Sequence, residues 1–96
     1  IDDITFVEAM DNYVKVFRRG LPMVLSQITL KYMESILPAD RFNRVHRSYI
    51  VSLNAIDKFS NRKIYIHNSD RTIPVGRKYI DTFNNLYNIF KLNKIN

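Results

Sequence analysis

Alternation of apolar and polar positions opens the chain. "ITFVEAM" (4–10) alternates imperfectly, but it is rich in β-branched and aromatic residues and reads as a strand. "DN" (11–12) is a turn signal. "YVKVFRR" (13–19) alternates cleanly, with Val14, Val16 and Arg18 on one face and Tyr13, Lys15 and Phe17 on the other, the pattern of a half-buried strand. Gly20 closes that strand, and "PMVLS" (22–26) returns as its partner. From Thr29 the period lengthens. Leu30, Met33, Ile36 and Leu37 recur at helical spacing, so a short amphipathic helix is expected, with Thr29 as its N-cap and Pro38 as its stop.

"ADRF" (39–42) is an irregular turn leading into a short strand around Asn43 to Val45. Three β segments follow: "YIVSLNAIDKFS" (49–60), "KIYIH" (63–67) and "RTIPV" (71–75), the latter pairs joined by "SNR" and "NSD" as hairpin connections. Pro74 places its strand at a sheet edge or at its own end. Gly76 breaks the pattern. From Arg77 to about Phe90 the helical period returns in Tyr79, Ile80, Phe83, Leu86, Tyr87 and Phe90, and "KLNKIN" (91–96) reads as a fraying tail. The expected architecture is mostly β: several short antiparallel sheets packed as an elongated, sandwich-like domain, with one short middle helix and one C-terminal helix.

Composition narrows the class. Ninety-six residues make one domain, large enough for a core without staples. Cysteine is absent and there are two histidines, which leaves no thiolate or multi-histidine metal site and no expected cofactor. No apolar run is long enough to span a bilayer, and no signal peptide or Asn-x-Ser/Thr acceptor occurs, so a cytoplasmic setting without membrane contact is expected. The chain opens on "IDDITFVEAM" without an initiator methionine, as a C-terminal fragment of a longer protein would.

The formal charge of +6 is unevenly placed. Residues 41–78 hold nine basic residues against Asp57 and Asp70, a net of +7, while the remainder is −1. Such asymmetry is the footprint of a polyanion-binding face. The densest stretch is "RVHRSYIVSL" (44–53), where Arg44, His46 and Arg47 crowd the mouth of an apolar strand. Arg77 and Lys78 open the last helix, where the macrodipole disfavours cations unless an anion binds. Lys58, Arg62, Lys63 and Arg71 lie on hairpins and read as solubilising.

Catalytic readings fail. His46 and Ser48 have no orienting acid nearby, and Gly20 and Gly76 are too far apart for a phosphate loop. Asp2, Asp3, Glu8 and Asp11 read as solvated turn residues rather than a magnesium site. No enzyme and no small-molecule substrate are expected.

Three stretches together resemble the LytTR-type DNA-binding domains of bacterial response regulators. "ITFVEAMDNYVKVF" is similar to the family's opening signature, "TLKYMESILPADRFNRVHRSYIVSLNAI" to its middle and "TIPVGRKY" to its third signature; they come in order over residues 4 to 80. The resemblance implies a β-rich module whose loops enter the DNA major groove. It implies an output domain of a two-component transcriptional regulator, with a receiver domain upstream, acting in pairs on repeated double-stranded sites. The implied groove-facing positions are Asn12, Tyr13, Val14 and Lys15; His46, Arg47 and Ser48; and Arg77, Lys78 and Tyr79. Where the family commonly carries Ser before the third-site arginine this chain has Gly76, which removes a side-chain cap.

Two other classes fit the residues. An RNA-binding β-module would use Tyr13, Phe17, Tyr65 and Tyr79 as stacking platforms. A protein-interaction module would dock an acidic partner on the basic segment. Competition between duplex DNA and single-stranded RNA separates the first from DNA binding, and the absence of a DNA shift at moderate salt marks the second.

Overall fold

The computed structural model describes the backbone of residues 2–95 and the side chains of residues 2–93. Three strands come first: β1 (Ile4–Met10), β2 (Tyr13–Arg18) and β3 (Leu21–Ser26). Helix α1 (Leu30–Ile36) follows, then β4 (Phe42–His46) and β5 (Tyr49–Ser52). These strands form one antiparallel sheet in the order β3-β2-β1-β5-β4. Strands β6 (Ile56–Ser60), β7 (Lys63–Ile66) and β8 (Thr72–Pro74) make a second antiparallel sheet in that order, and α2 (Ile80–Ile95) closes the chain. Pro74 lies on the edge strand β8, where its missing N–H breaks no ladder.

The five-stranded sheet is the middle layer. One face carries α1 over Val7, Val14, Val16 and Ile50, with Leu30, Met33 and Leu37 supplying the helix side. The other face carries the second sheet and α2 over Phe6, Val51, Ile64, Ile73, Val75 and Phe83. Adjacent Phe6 and Val7 therefore enter opposite cores. The imperfect alternation of β1 has a geometric cause. Its pairing with β2 shifts register between Ile4 and Phe6, and the Thr5 hydroxyl between them donates to the Phe17 carbonyl at 3.2 Å.

The structure departs from the sequence pattern at five places. The run 49–60 is not one strand: the chain leaves the first sheet after Ser52, makes a single 3-10 turn at Leu53–Ala55, and enters the second sheet at Ile56. Leu53 and Ala55 are both buried, so the segment stays apolar across the change of sheet and its periodicity hides the break. Strand β2 is covered on both faces, because Phe17 stacks on Phe6 with ring centroids 4.3 Å apart. Ile36, expected on the buried face of α1, is 52% exposed at the end of a helix that makes fewer than two full turns of contact with the sheet.

Helix α2 starts at Ile80, not at Arg77. The Tyr79 N–H first turns back to the Gly76 carbonyl at 2.9 Å, and the Phe83 N–H to Tyr79 carbonyl bond is the first helical one. At the far end the helix continues through Ile95, because nothing in residues 91–95 breaks it; the last residue of the expected tail, Asn96, lies outside the described residues. Thr29 caps α1 as expected, its hydroxyl accepting the Tyr32 N–H at 3.0 Å. The extents of 37 × 30 × 24 Å make the domain moderately elongated. Among the described residues no helix is long and apolar enough to cross a membrane.

Phe83 joins α2 to the second sheet, packing edge-on against Phe59 at 4.9 Å and stacked with Tyr87 at 5.4 Å. Phe83→Ala is expected to destabilise the domain by about 3–5 kcal/mol. Urea unfolding checks it, the midpoint falling with the slope unchanged.

Candidate nucleic-acid interface

Strand β1 runs antiparallel to both β2 and β5, so the β1–β2 turn and the β4–β5 turn leave the sheet at the same end. The Ala9 N–H donates to the Ser48 carbonyl at 2.8 Å and ties the two together. The segment leaving β8 reaches the same end, because the Gly76 N–H donates to the Val45 carbonyl at 2.8 Å. Three stretches far apart in sequence thus form one surface.

In the first stretch, Asp11 takes a left-handed φ of 54° to close the turn, which leaves Asn12 exposed. Tyr13 is 38% exposed, and Lys15 is half-buried on β2 across from Glu8. Val14 is the correction here. Its side chain is fully buried beneath α1, so it offers nothing at the surface. The period-two pattern that makes Tyr13 and Lys15 outward makes Val14 inward.

In the second stretch, Arg47 is exposed, and among the described residues no hydrogen bond or ion pair engages its side chain. His46 is half-buried, and its Nδ1 accepts the Ser48 N–H at 3.0 Å, which leaves Nε2 to carry the proton of the neutral ring. In the third stretch, Arg77 and Lys78 are exposed and Tyr79 is half-buried. These two cations precede α2 rather than sit within it, so the conflict with the helix dipole is milder than their expected place implied. A surface cavity of about 330 Å³ lies between the second and third stretches, lined by His46, Arg47, Gly76, Arg77, Lys78 and Tyr79. Gly76 lies close to both rings: a Cβ there would stand 3.3 Å from the Tyr79 ring and 3.6 Å from that of His46.

Two residues acquire roles that local sequence does not show. Arg62 closes the β6–β7 hairpin in left-handed backbone (φ 60°), and its carbonyl accepts the Val75 N–H at 2.9 Å. That contact places an exposed cation, together with Lys63 beside it, next to the third stretch. Arg44 is turned inward, its side chain 18% exposed. Its Nε donates to the His46 carbonyl at 2.8 Å and one terminal nitrogen to the Arg47 carbonyl at 2.6 Å.

Other charges are engaged within the fold. Arg71 lies over the Phe6 and Phe17 rings at 5.2 and 5.1 Å and reaches Glu8 at 3.3 Å. Glu8 also accepts the Tyr49 hydroxyl at 2.9 Å. Burial, and then Glu8, push the Tyr49 phenol above its ordinary value. Asp2 is held below the usual carboxylate range by Arg41, which it meets at 2.7 Å. Of the acidic residues near the N-terminus, Asp2 and Glu8 are thus paired with arginines. Among the described residues no group of three or more His, Asp or Glu side chains could hold a metal ion.

Comparison with known proteins bears on this surface. The family model of the LytTr DNA-binding domain matches residues 1–88. Among solved structures, the chain is similar to the LytTr DNA-binding domain of a Bacillus cereus protein described as a methyl-accepting/DNA response regulator. The TM-score is 0.78 and the identity 28%, over 88% of this chain and 81% of that one. No curated protein matches the chain.

The Tyr49–Glu8 bond gives a pH-dependent stability with a definite sign. A phenol whose pKa is raised on folding contributes stability that is fully present below its unfolded value, about 10, and is lost as pH rises through the folded value. The advantage of the wild type over Tyr49→Phe is therefore expected to be constant between pH 7 and 9 and to shrink above about pH 10. Urea midpoints of both proteins across that range measure it; an advantage that does not shrink above pH 10 contradicts the assignment.

Proposed function

The chain belongs to the LytTR family of DNA-binding domains, and from that premise we propose that it reads double-stranded DNA in a sequence-specific manner, setting its three surface stretches in the major groove. The observation that carries this reading is their convergence at one end of the sheet, with exposed and unpaired Arg47, Arg77 and Lys78 among them. A guanidinium on a short, rigid turn suits a bidentate contact with guanine O6 and N7, so Arg47 and Arg77 are the proposed base readers. Asn12 is the reader from the first turn, since an amide can pair with adenine N6 and N7. His46, Ser48, Tyr13, Lys15 and Tyr79 shape and line the surface. Lys78, Arg62 and Lys63 are assigned to phosphates, which position the domain without reading sequence.

The similar Bacillus cereus domain is part of a DNA response regulator, and the wider setting proposed for this chain, on the family resemblance, is a cytoplasmic output domain of a two-component transcriptional regulator behind a receiver domain. Two copies on repeated sites would double the footprint of a domain this small. The RNA-binding alternative loses two of its platforms. Phe17 is stacked on Phe6, and the Tyr65 ring is covered by the Lys58 ammonium at 4.8 Å.

Three cations, Arg62, Lys63 and Lys78, meet phosphates on this assignment. Log K is therefore expected to fall with log salt at a slope of about −3. Titration of duplex binding between about 50 and 200 mM salt tests this; a slope near zero refutes polyanion binding.

Arg47 and Arg62 are expected to separate base reading from phosphate contact. Arg47→Ala should weaken binding to the cognate duplex, selected from a random library, by about 1–3 kcal/mol more than binding to random duplex. Arg62→Ala should weaken both equally and make the salt slope shallower by about one unit. Equal losses on both duplexes for Arg47→Ala would make it a phosphate contact and move specificity to Asn12 and Arg77.

A further inference from the structure

We infer that Arg44 is a positioning residue for sequence discrimination: from inside the domain it sets the backbone of the 46–48 turn, and Glu34 of α1 holds it there. The inference rests on Arg47 being a base reader, but its structural half is testable without DNA.

The turn is bonded at four successive carbonyls. Val45 accepts from the Gly76 N–H and Ser48 from the Ala9 N–H, each at 2.8 Å. His46 and Arg47 accept from the Arg44 guanidinium at 2.8 and 2.6 Å. Two of the four anchors therefore belong to one side chain. They act where the ladder itself is irregular, because β4 and β5 shift register between Arg44 and His46. The third corner of the guanidinium meets Glu34 Oε1 at 3.1 Å. A planar fork with fixed donor directions can hold two carbonyls and a carboxylate at once; an ammonium, with its donors on a single atom, cannot reproduce that spacing. The wrong placement of Arg47 by even an ångström would lose a bidentate contact while leaving a phosphate contact nearly intact. Arg44 is also mostly buried and paired, so its charge adds little to the phosphate-binding field.

Glu34 extends the chain of influence. It lies on the short helix α1, its side chain is 46% exposed, and it lines a cavity with Arg44, Lys78 and Tyr79. A residue assigned no contact with DNA thus bears on which DNA is read, through one ion pair and two hydrogen bonds.

Arg44→Lys and Glu34→Gln test this, the first keeping the charge without the fork and the second keeping shape without the charge. In the free protein, the Ser48 amide should exchange its hydrogen about 10-fold faster in Arg44→Lys, with the Phe83 amide of α2 unchanged. Glu34→Gln should shift Ser48 in the same direction by about 2- to 3-fold. On DNA, Arg44→Lys should lower cognate affinity about 5- to 10-fold and random-duplex affinity less than about 2-fold, with the same salt slope. In an Arg47→Ala background Arg44→Lys should cost no further selectivity. Unchanged Ser48 exchange overturns the inference, as do equal losses on both duplexes or selectivity losses that add in the double variant. Should Arg44→Lys speed every amide alike, Glu34→Gln decides: local exchange with lost selectivity upholds the inference, and neither overturns it. A wild type without sequence preference overturns the proposed function and the selectivity claim together. The exchange measurement then still distinguishes a turn held by Arg44 from one that is not.

Discussion

The 2.8 Å bond from the Gly76 N–H to the Val45 carbonyl joins the backbones of two sheets that also meet through their side chains and the 53–55 crossover. Strand β8 belongs to the three-stranded sheet and β4 to the edge of the five-stranded one. Without that bond the Arg77 stretch would be placed by β8 and by α2, but not tied by its backbone to the five-stranded sheet. With it, Gly76 packs against the His46 ring and the basic segments 46–48 and 77–79 share one cavity. The missing cap expected from the family pattern costs α2 little, because the helix begins four residues later.

The layered core makes such a junction rigid. The inner strands of the five-stranded sheet are packed on both faces, and the strands beneath the 11–12 and 47–48 turns contribute Val7, Val14, Val45, Ile50 and Val51 to the core, all nearly or wholly inaccessible. The Arg71–Glu8–Tyr49 chain adds a polar link along the same sheet, with Arg71 flattened over Phe6 and Phe17. Charge counted along the sequence therefore overstates what is presented outward: Arg41, Arg44 and Arg71 are each paired with a carboxylate within 3.3 Å.

Strands, turns and helices were largely legible because one face of most of them is buried, and burial imprints a period. The N-cap at Thr29, the edge position of Pro74 and the turn at 11–12 follow from local chemistry alone. What was not legible depends on distance along the chain. The change of sheet at 53–55 is hidden because Leu53 and Ala55 are buried on either side of exposed Asn54 and continue the alternation of a strand. The inward turn of Arg44 requires Glu34, ten residues away, and the place of Arg62 depends on Val75, thirteen residues on. Val14 could have been set apart by its alternation with Tyr13 and Lys15, a signal the family resemblance overrode.

The side chains proposed to meet DNA stand on connections of two to five residues, tied by backbone bonds to one another and to neighbouring strands. Asn12, Arg47, Arg77 and Lys78 bury none of their neighbours, and replacing them removes nothing from either core. Mutations at these positions are consequently close to neutral for stability while being free to alter what is recognised. On the proposed assignment, a lineage of such domains can change operators by single substitutions, without passing through unstable intermediates, so long as the packed strands behind them are kept.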